Sequence, residues 1–237
     1  MGIKLQRQKK RNLLLSIIYR IHKVLPISSK KKLKLYLDLE WIFDRLSHET
    51  SFKYYDEEQH PVRVNSKKFI LNRIQENHIV LDLGCKYGNM SNYISKKAKK
   101  VVGIDFDQKA IQIARETYQQ ANLVFEVEDA LTYIEKQVFN FDVLILSHIL
   151  EHLDKPKEFL ASFARHFKLI YIELPDFNKT YLNLYRQKTE NDLVYTDTDH
   201  ISEFDRFELS ELISECGLKI IDEEYIFGIQ KIWCTIK

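Results

Sequence analysis

Cysteine is scarce in this 237-residue chain: Cys85, Cys216 and Cys234 are odd in number and show no paired metal-ligand spacing. Disulfide scaffolds and zinc ribbons are thereby excluded, and a reducing, cytoplasmic compartment is implied. Long apolar runs are missing too. The best near the start, LLLSIIY at Leu13–Tyr19, falls far short of the roughly 18 residues that read as a membrane span, and its flanks lack the cleavage site of a signal peptide. Internal repeats are absent, as are low-complexity tracts beyond lysine-rich patches. Acids are absent from the first 34 residues, which carry eleven Lys or Arg; the remainder holds 25 bases against 34 acids, a net of −9 concealed by the overall charge of +2. A basic arm with few aromatics among its bases, on an acidic body, is unlike a nucleic-acid-binding face.

What is present is core-forming. With 45% hydrophobic residues and 12% aromatics, the chain is not mainly disordered, and its length suits one domain with an appendage. In the arm, Leu14, Ile17, Ile18, Ile21 and Leu25 recur at helical spacing with Arg11, Arg20 and Lys23 between them, an amphipathic helix that Pro26 ends. A second helical pattern follows the cluster SSKKKLK. Polar residues and Pro61 predict an irregular stretch from Ser51 to Asn65, so the extension is placed at 1–65 and the main domain at 66–237.

Beyond Ser66 the pattern alternates. Strands are expected over His78–Leu83, Lys100–Asp105, Asn122–Val127, Phe141–Ser147 and Leu169–Leu174, with helices over Asn89–Lys97, Gln108–Gln119, 130–137 and Lys157–Phe167. Such alternation implies parallel crossovers and an open sheet covered on both faces. Continuous apolar runs such as FDVLILS agree. The segment 175–204 is long for a plain connection and rich in aromatics, including Tyr195, so it is read as a substrate lid. A helix over Arg206–Cys216 then stops at Gly217, and two strand-like runs flanking Gly228 predict a closing hairpin.

The stretch His78–Ala114 carries the most chemistry. A buried strand leads to a glycine-marked turn with an acid, then a helix, then a second strand ending in another acid, which is half of a nucleotide-type site. Asp82, two residues before Gly84, would repel a pyrophosphate at that turn. It would favour S-adenosylmethionine, which brings an ammonium and no phosphate. Asp105 is suited to accept hydrogen bonds from ribose hydroxyls. The loop also departs from the G-x-G-x-x-G of a nicotinamide-dependent reductase, the enzyme alternative.

The ordered set VLDLGCKYG, VVGIDFD, EDA, FDVLILSHILEHL and YIELPDF resembles class I S-adenosylmethionine-dependent methyltransferases over about Phe69–Lys237, nearest the small-molecule type 11 and type 12 branches. The resemblance implies an α/β, Rossmann-like fold: a seven-stranded, mostly parallel sheet with helices on both faces, its last strand antiparallel, plus the helical N-terminal extension. It implies cofactor contacts from Asp82, Gly84, Gly88, Asp105, Phe106, Asp129, Ala130 and Ser147, with Phe106 against the adenine. Asp129 is equally suited to cap a helix. Lys86 stands where the family commonly has a third glycine, and could pair with the cofactor's carboxylate, point to solvent or occlude the site.

For the acceptor, an oxygen of a small metabolite such as a sugar or a lipid-linked glycan, an imidazole base is suited to remove a hydroxyl proton. His148, beside the expected methyl group, and His200 are candidates, with Asp176 orienting or sharing the proton. His148, Glu151 and His152 also spell the H-x-x-E-H of inverted zinc proteases, but the position after a buried strand argues for no metal. An inactive scaffold of the same fold is the non-enzyme alternative. The cationic arm either lies on an anionic membrane surface, bringing the chain to the inner face of the membrane, or packs over the cleft with its lysines solvated.

Overall fold

The computed structural model describes residues 12–129, 132–133, 141–191 and 199–237. Its strands are β1 (Ile79–Leu83), β2 (Lys100–Asp105), β3 (Leu123–Val127), β4 (Val143–Ser147), β5 (Leu169–Pro175), β6 (Leu218–Ile226) and β7 (Ile229–Ile236). They form one sheet in the order β3-β2-β1-β4-β5-β7-β6. β1 to β5 run parallel, and β7 is antiparallel to both its neighbours. This is the expected class I methyltransferase topology. The chain steps from β1 outward through β2 and β3, then returns to lay β4 on the other side of β1. A crevice therefore opens at the carboxyl ends of β1 and β4, where open α/β sheets bind their ligands.

The strands are buried on both sides because successive residues feed two cores. Leu81, Leu83, Leu144, Leu146, Ile170 and Ile172 pack on one face, with Leu160, Phe163, Leu209 and Ile213 from the helices α6 (Pro156–Ala164) and α8 (Arg206–Glu215). Val80, Val143, Ile145, Tyr171 and Trp233 pack on the other. There they meet α3 (Pro61–Leu71), α4 (Asn89–Ser95) and α5 (Gln108–Thr117). Of the helix expected over 130–137, Thr132 and Tyr133 are described and helical; the rest, like Tyr195, lies outside the described residues. The stretch expected to be irregular before Ser66 is largely helical. α2 (Ser29–Tyr54) runs to Tyr54 and α3 starts at Pro61, since proline at a first helical position initiates a helix as readily as it breaks one.

The extension supplies α1 (Leu13–Val24) and α2. α1 has no buried residue. α2 instead lies against α7 (Leu182–Thr189), inside the segment read as a lid, and polar contacts fasten the two. Arg186, 1% exposed, donates to the Leu37 carbonyl at 3.0 Å, to the Glu40 carboxylate and to Asn183 Oδ1 at 2.7 Å. Asn191 donates to Asp38 at 2.7 Å, and Lys179 pairs with Asp44 at 2.8 Å. Among the described residues no helix is long and apolar enough to cross a membrane.

Removing a buried, paired cation leaves its partners uncompensated. Arg186→Ala is expected to lower unfolding free energy by about 3 kcal/mol, whereas Lys188→Ala, on the exposed side of the same helix, should stay within about 0.5 kcal/mol. Urea titrations of both variants check this.

Candidate active site

The turn after β1 is built by backbone that only small residues allow. Gly84 has φ +73°, and a Cβ there would come within 2.3 Å of Ile149 Cδ1, reaching across from the end of β4. Gly88 has φ +76°, and its Cβ would strike the Phe125 ring at 2.4 Å. The amides of Gly84 and Cys85 both donate to the Ile104 carbonyl, which pins the turn to β2. Lys86 also adopts a left-handed φ of +49°, so it occupies a glycine-like conformation at the cost of strain. Its amide donates to Asp105 Oδ2 at 2.9 Å, and its exposed ammonium lies 5.8 Å from the Tyr87 ring centre. The Lys86 side chain is exposed and does not fill the turn.

Asp82 is buried, faces α4 and accepts from the Ser91 hydroxyl. Burial, with nearby Asp105 adding to it, pushes its carboxyl up to about 6, a carboxylate that gains from any cation delivered to the turn. Asp105 is half-buried, its two oxygens accepting from the amides of Lys86 and Asp107 at 2.9 and 2.8 Å. Each oxygen retains acceptor capacity for a hydroxyl. Phe106 follows, 86% exposed, an apolar ring in water that a flat ligand would cover. Asp129 accepts from the amide and hydroxyl of Thr132 at 3.0 and 3.1 Å, the helix-cap role. Ala130 lies outside the described residues. Two strand-end acids, two glycine cradles and an unshielded aromatic ring fit an adenosine-type cofactor bearing an ammonium.

Beyond β4 the chain bends sharply. Ser147 is half-buried, and His148 takes φ +56° with its amide donating to the Glu173 carbonyl at 2.8 Å. Its ring sits between two buried acids, Nδ1 at 2.9 Å from Glu151 and Nε2 at 3.5 Å from Glu173. Partial burial opposes a charge on this ring, but the hydrogen bonds and attraction from Glu151 and Glu173 prevail and raise His148 to about 10. Glu173 is held below the usual carboxylate range against its burial, mainly by His148. His148 is therefore an imidazolium at neutral pH: an electrostatic group, unable in this state to accept a proton.

His148 and His200 both line a cavity of about 470 Å³, whose far wall is α2 with Trp41, Asp44, Arg45 and His48. Asp176, expected beside the acceptor, is instead committed to Arg206, which donates to it at 2.7 and 3.3 Å, and to capping Asn178. His48 was not among the expected site residues, although packing of the arm over the cleft was one of its two readings and α2 does line this cavity. Burial, with Lys179 and Arg45 near, holds His48 below the usual histidine value, so this ring is neutral at pH 7.

The H-x-x-E-H spacing does not set its two histidines on one helical face, since Leu150–His152 is a 3₁₀ turn and His148 precedes it in a left-handed conformation. The fold brings a different set together. Ligand atoms of Glu151, His152 and His200 lie within 4.8 Å of one another, the two rings meeting edge to face at 4.8 Å between centroids. This trio could hold a metal ion.

The sign of the His148 linkage follows from its raised value. The stabilisation by its charged form is complete below pH ~6.5, the unfolded value, and is lost as pH climbs toward 10. The unfolding free energy is expected to decline from pH 7 to 10, and His148→Gln to flatten that decline. Equal slopes in urea titrations of the two proteins would show that the acids do not hold an imidazolium.

Known proteins share this fold. A ubiquinone biosynthesis O-methyltransferase of Coxiella burnetii is 29% identical over 91 residues, 38% of this chain and 38% of that protein's own length. Among solved structures, the magnesium protoporphyrin IX methyltransferase of Synechocystis, with bound SAH, superposes with a TM-score of 0.57 at 16% identity, covering 82% of this chain and 94% of the other. The cyclase SpnF superposes with 0.59 at 14% identity over 75% of this chain and 82% of its own, so the architecture alone does not dictate the reaction. A family model described as a methyltransferase domain matches residues 55–223. The chain belongs to that methyltransferase domain family, within the class I, S-adenosylmethionine-dependent branch whose sheet and glycine turn it carries.

Proposed function

We propose that this chain transfers a methyl group from S-adenosylmethionine to a hydroxyl oxygen of a small polar acceptor, a sugar being the best chemical fit. One observation carries the reading. The cavity at the end of β4 is lined by an aromatic ring, Trp41, among hydrogen-bonding groups of both kinds, including Asp44, Arg45, His48 and Asn183, the mixture that suits a ring with several hydroxyls. The O-methyltransferase name of the Coxiella relative supports oxygen as the methylated atom.

When bound, the cofactor supplies an electrophilic methyl on a sulfonium. The chain's own groups then have separable tasks. Asp82 and Asp105 hold the cofactor's cationic and hydroxyl ends, and Phe106 covers its flat face. His48, neutral at pH 7, takes the acceptor's proton. The charged His148 stabilises the negative charge that develops on the acceptor oxygen, while Glu151 and Glu173 keep that imidazolium in place. His200, held by Glu203 at 2.9 Å, positions the acceptor from the cavity wall.

Calorimetry with S-adenosylmethionine should show Asp105→Ala weakening binding by about 1 to 3 kcal/mol, the cost of unpaired ribose hydroxyls; unchanged affinity would take Asp105 out of the site. In thermal-shift assays the cofactor and its demethylated product should stabilise the protein and NADH should not, which separates this reading from a reductase. With a sugar acceptor found by panel screening, His48→Gln should lower kcat by about 10² to 10⁴ while leaving cofactor affinity unchanged. A variant with full kcat would remove His48 as the base.

A further inference from the structure

α2 presents two opposed stripes. Glu40, Trp41, Asp44, Arg45 and His48 recur at helical spacing and face the cavity. Leu35, Leu39, Ile42, Phe43 and Leu46 recur at the same spacing about half a turn away, and all are exposed, from 39% at Ile42 to 62% at Phe43. α1 is joined at its C-terminal end to α2 by a hydrogen bond between His22 Nδ1 and the Tyr36 hydroxyl at 2.8 Å and by Lys32 donating to the His22 carbonyl at 2.8 Å. Its own apolar face, Leu14, Ile17, Ile18 and Ile21, is at least 46% exposed throughout. Two helices joined at this point thus each expose a row of large apolar side chains, whereas exposed apolar residues that need no explanation are scattered singly.

Charge selects the occupant. Arg20, Lys23, Lys30 and Lys31 are exposed around this surface, and the first 34 residues hold eleven bases and no acid. A second copy docking through the same face would set base against base. An anionic bilayer offers an apolar interior for the leucines and isoleucines together with negative headgroups for the lysines and arginines. The rest of the chain, at a net −9, is repelled by that surface, which orients the molecule arm first.

We propose that α1 and the outer stripe of α2 form a docking surface for an anionic lipid membrane. α2 then lies between the bilayer on one side and the acceptor cavity on the other. This proposal does not depend on the reaction performed, and its test needs no turnover.

The full chain is incubated with vesicles of phosphatidylcholine alone or of phosphatidylcholine mixed with phosphatidylglycerol, and bound protein is recovered by flotation. Binding to the mixed vesicles is expected to exceed that to the neutral ones by at least about tenfold at low salt, and to fall as salt rises. The triple variant Leu14→Ser, Ile17→Ser, Ile21→Ser should lose binding while keeping its unfolding midpoint, because α1 buries nothing in the fold. Lys30→Ala with Lys31→Ala should reduce the preference for the anionic lipid. Absence of flotation with mixed vesicles overturns the proposal, as does equal binding to both kinds. Light scattering that shows a lipid-free dimer, made monomeric by the triple variant, would assign the face to a second copy and overturn it too.

Discussion

Two buried carboxylates, one within β5 and one in the turn after β4, would repel each other and pay for desolvation if nothing positive lay between them. Glu151 and Glu173 are both essentially buried, and the ring of His148 is the cation that bridges them. Much else is arranged around this bridge. His148 tolerates a left-handed backbone because its amide and both ring nitrogens are engaged at once. The Glu151 carbonyl in turn accepts from the amides of Ile201 and Ser202 at 2.9 and 3.1 Å, which draws the end of segment 175–204 over β4 and sets His200 on the cavity wall. The bridge therefore ties the last turn of β4, β5 and the covering segment into one floor.

That arrangement redistributes the chemistry among the histidines. A ring flanked by two acids is held toward its charged form. Partial burial, with Lys179 and Arg45 near, lowers the His48 ring below the usual histidine value. His148 and His48 line one cavity with pKa shifts in opposite directions, the kind of separation that environment and not residue type produces.

The arm lines the cavity through α2. Arg186 is sealed beneath α2, and its contacts to Leu37, Glu40 and Asn183 hold that helix across the strand ends. The cofactor side needs no such help. Gly84 and Gly88 are cradled by Ile149 and Phe125, and Lys86 keeps the turn's geometry without a glycine, its side chain turned outward. The glycine turn is thus built by the sheet alone, the cavity beside it by the sheet and the extension together.

The amino-acid sequence by itself determined the sheet and the cofactor turn, because both rest on local signals. β2 has the expected bounds, Lys100–Asp105, and the other expected strands match within a residue or two, since runs such as VVGID and VLILS can be satisfied only by burial on both faces. Asp82, Gly84 and Asp105 were legible because turn geometry demands those residue types within a few positions of a strand end. On the cavity beyond β4 the sequence offered His148 and His200, which do line it, but not their partners or what faces them. His48 and His148 are a hundred residues apart in the sequence, and no periodicity tells which helix will cross which strand end. Asp176 reads like a site acid until Arg206, thirty residues on, claims both its oxygens. The H-x-x-E-H string reads like a helix until His148 takes a left-handed turn toward Glu173. Charge state and partnership depend on which distant groups come within a few ångströms, and that is settled only when the chain closes on itself.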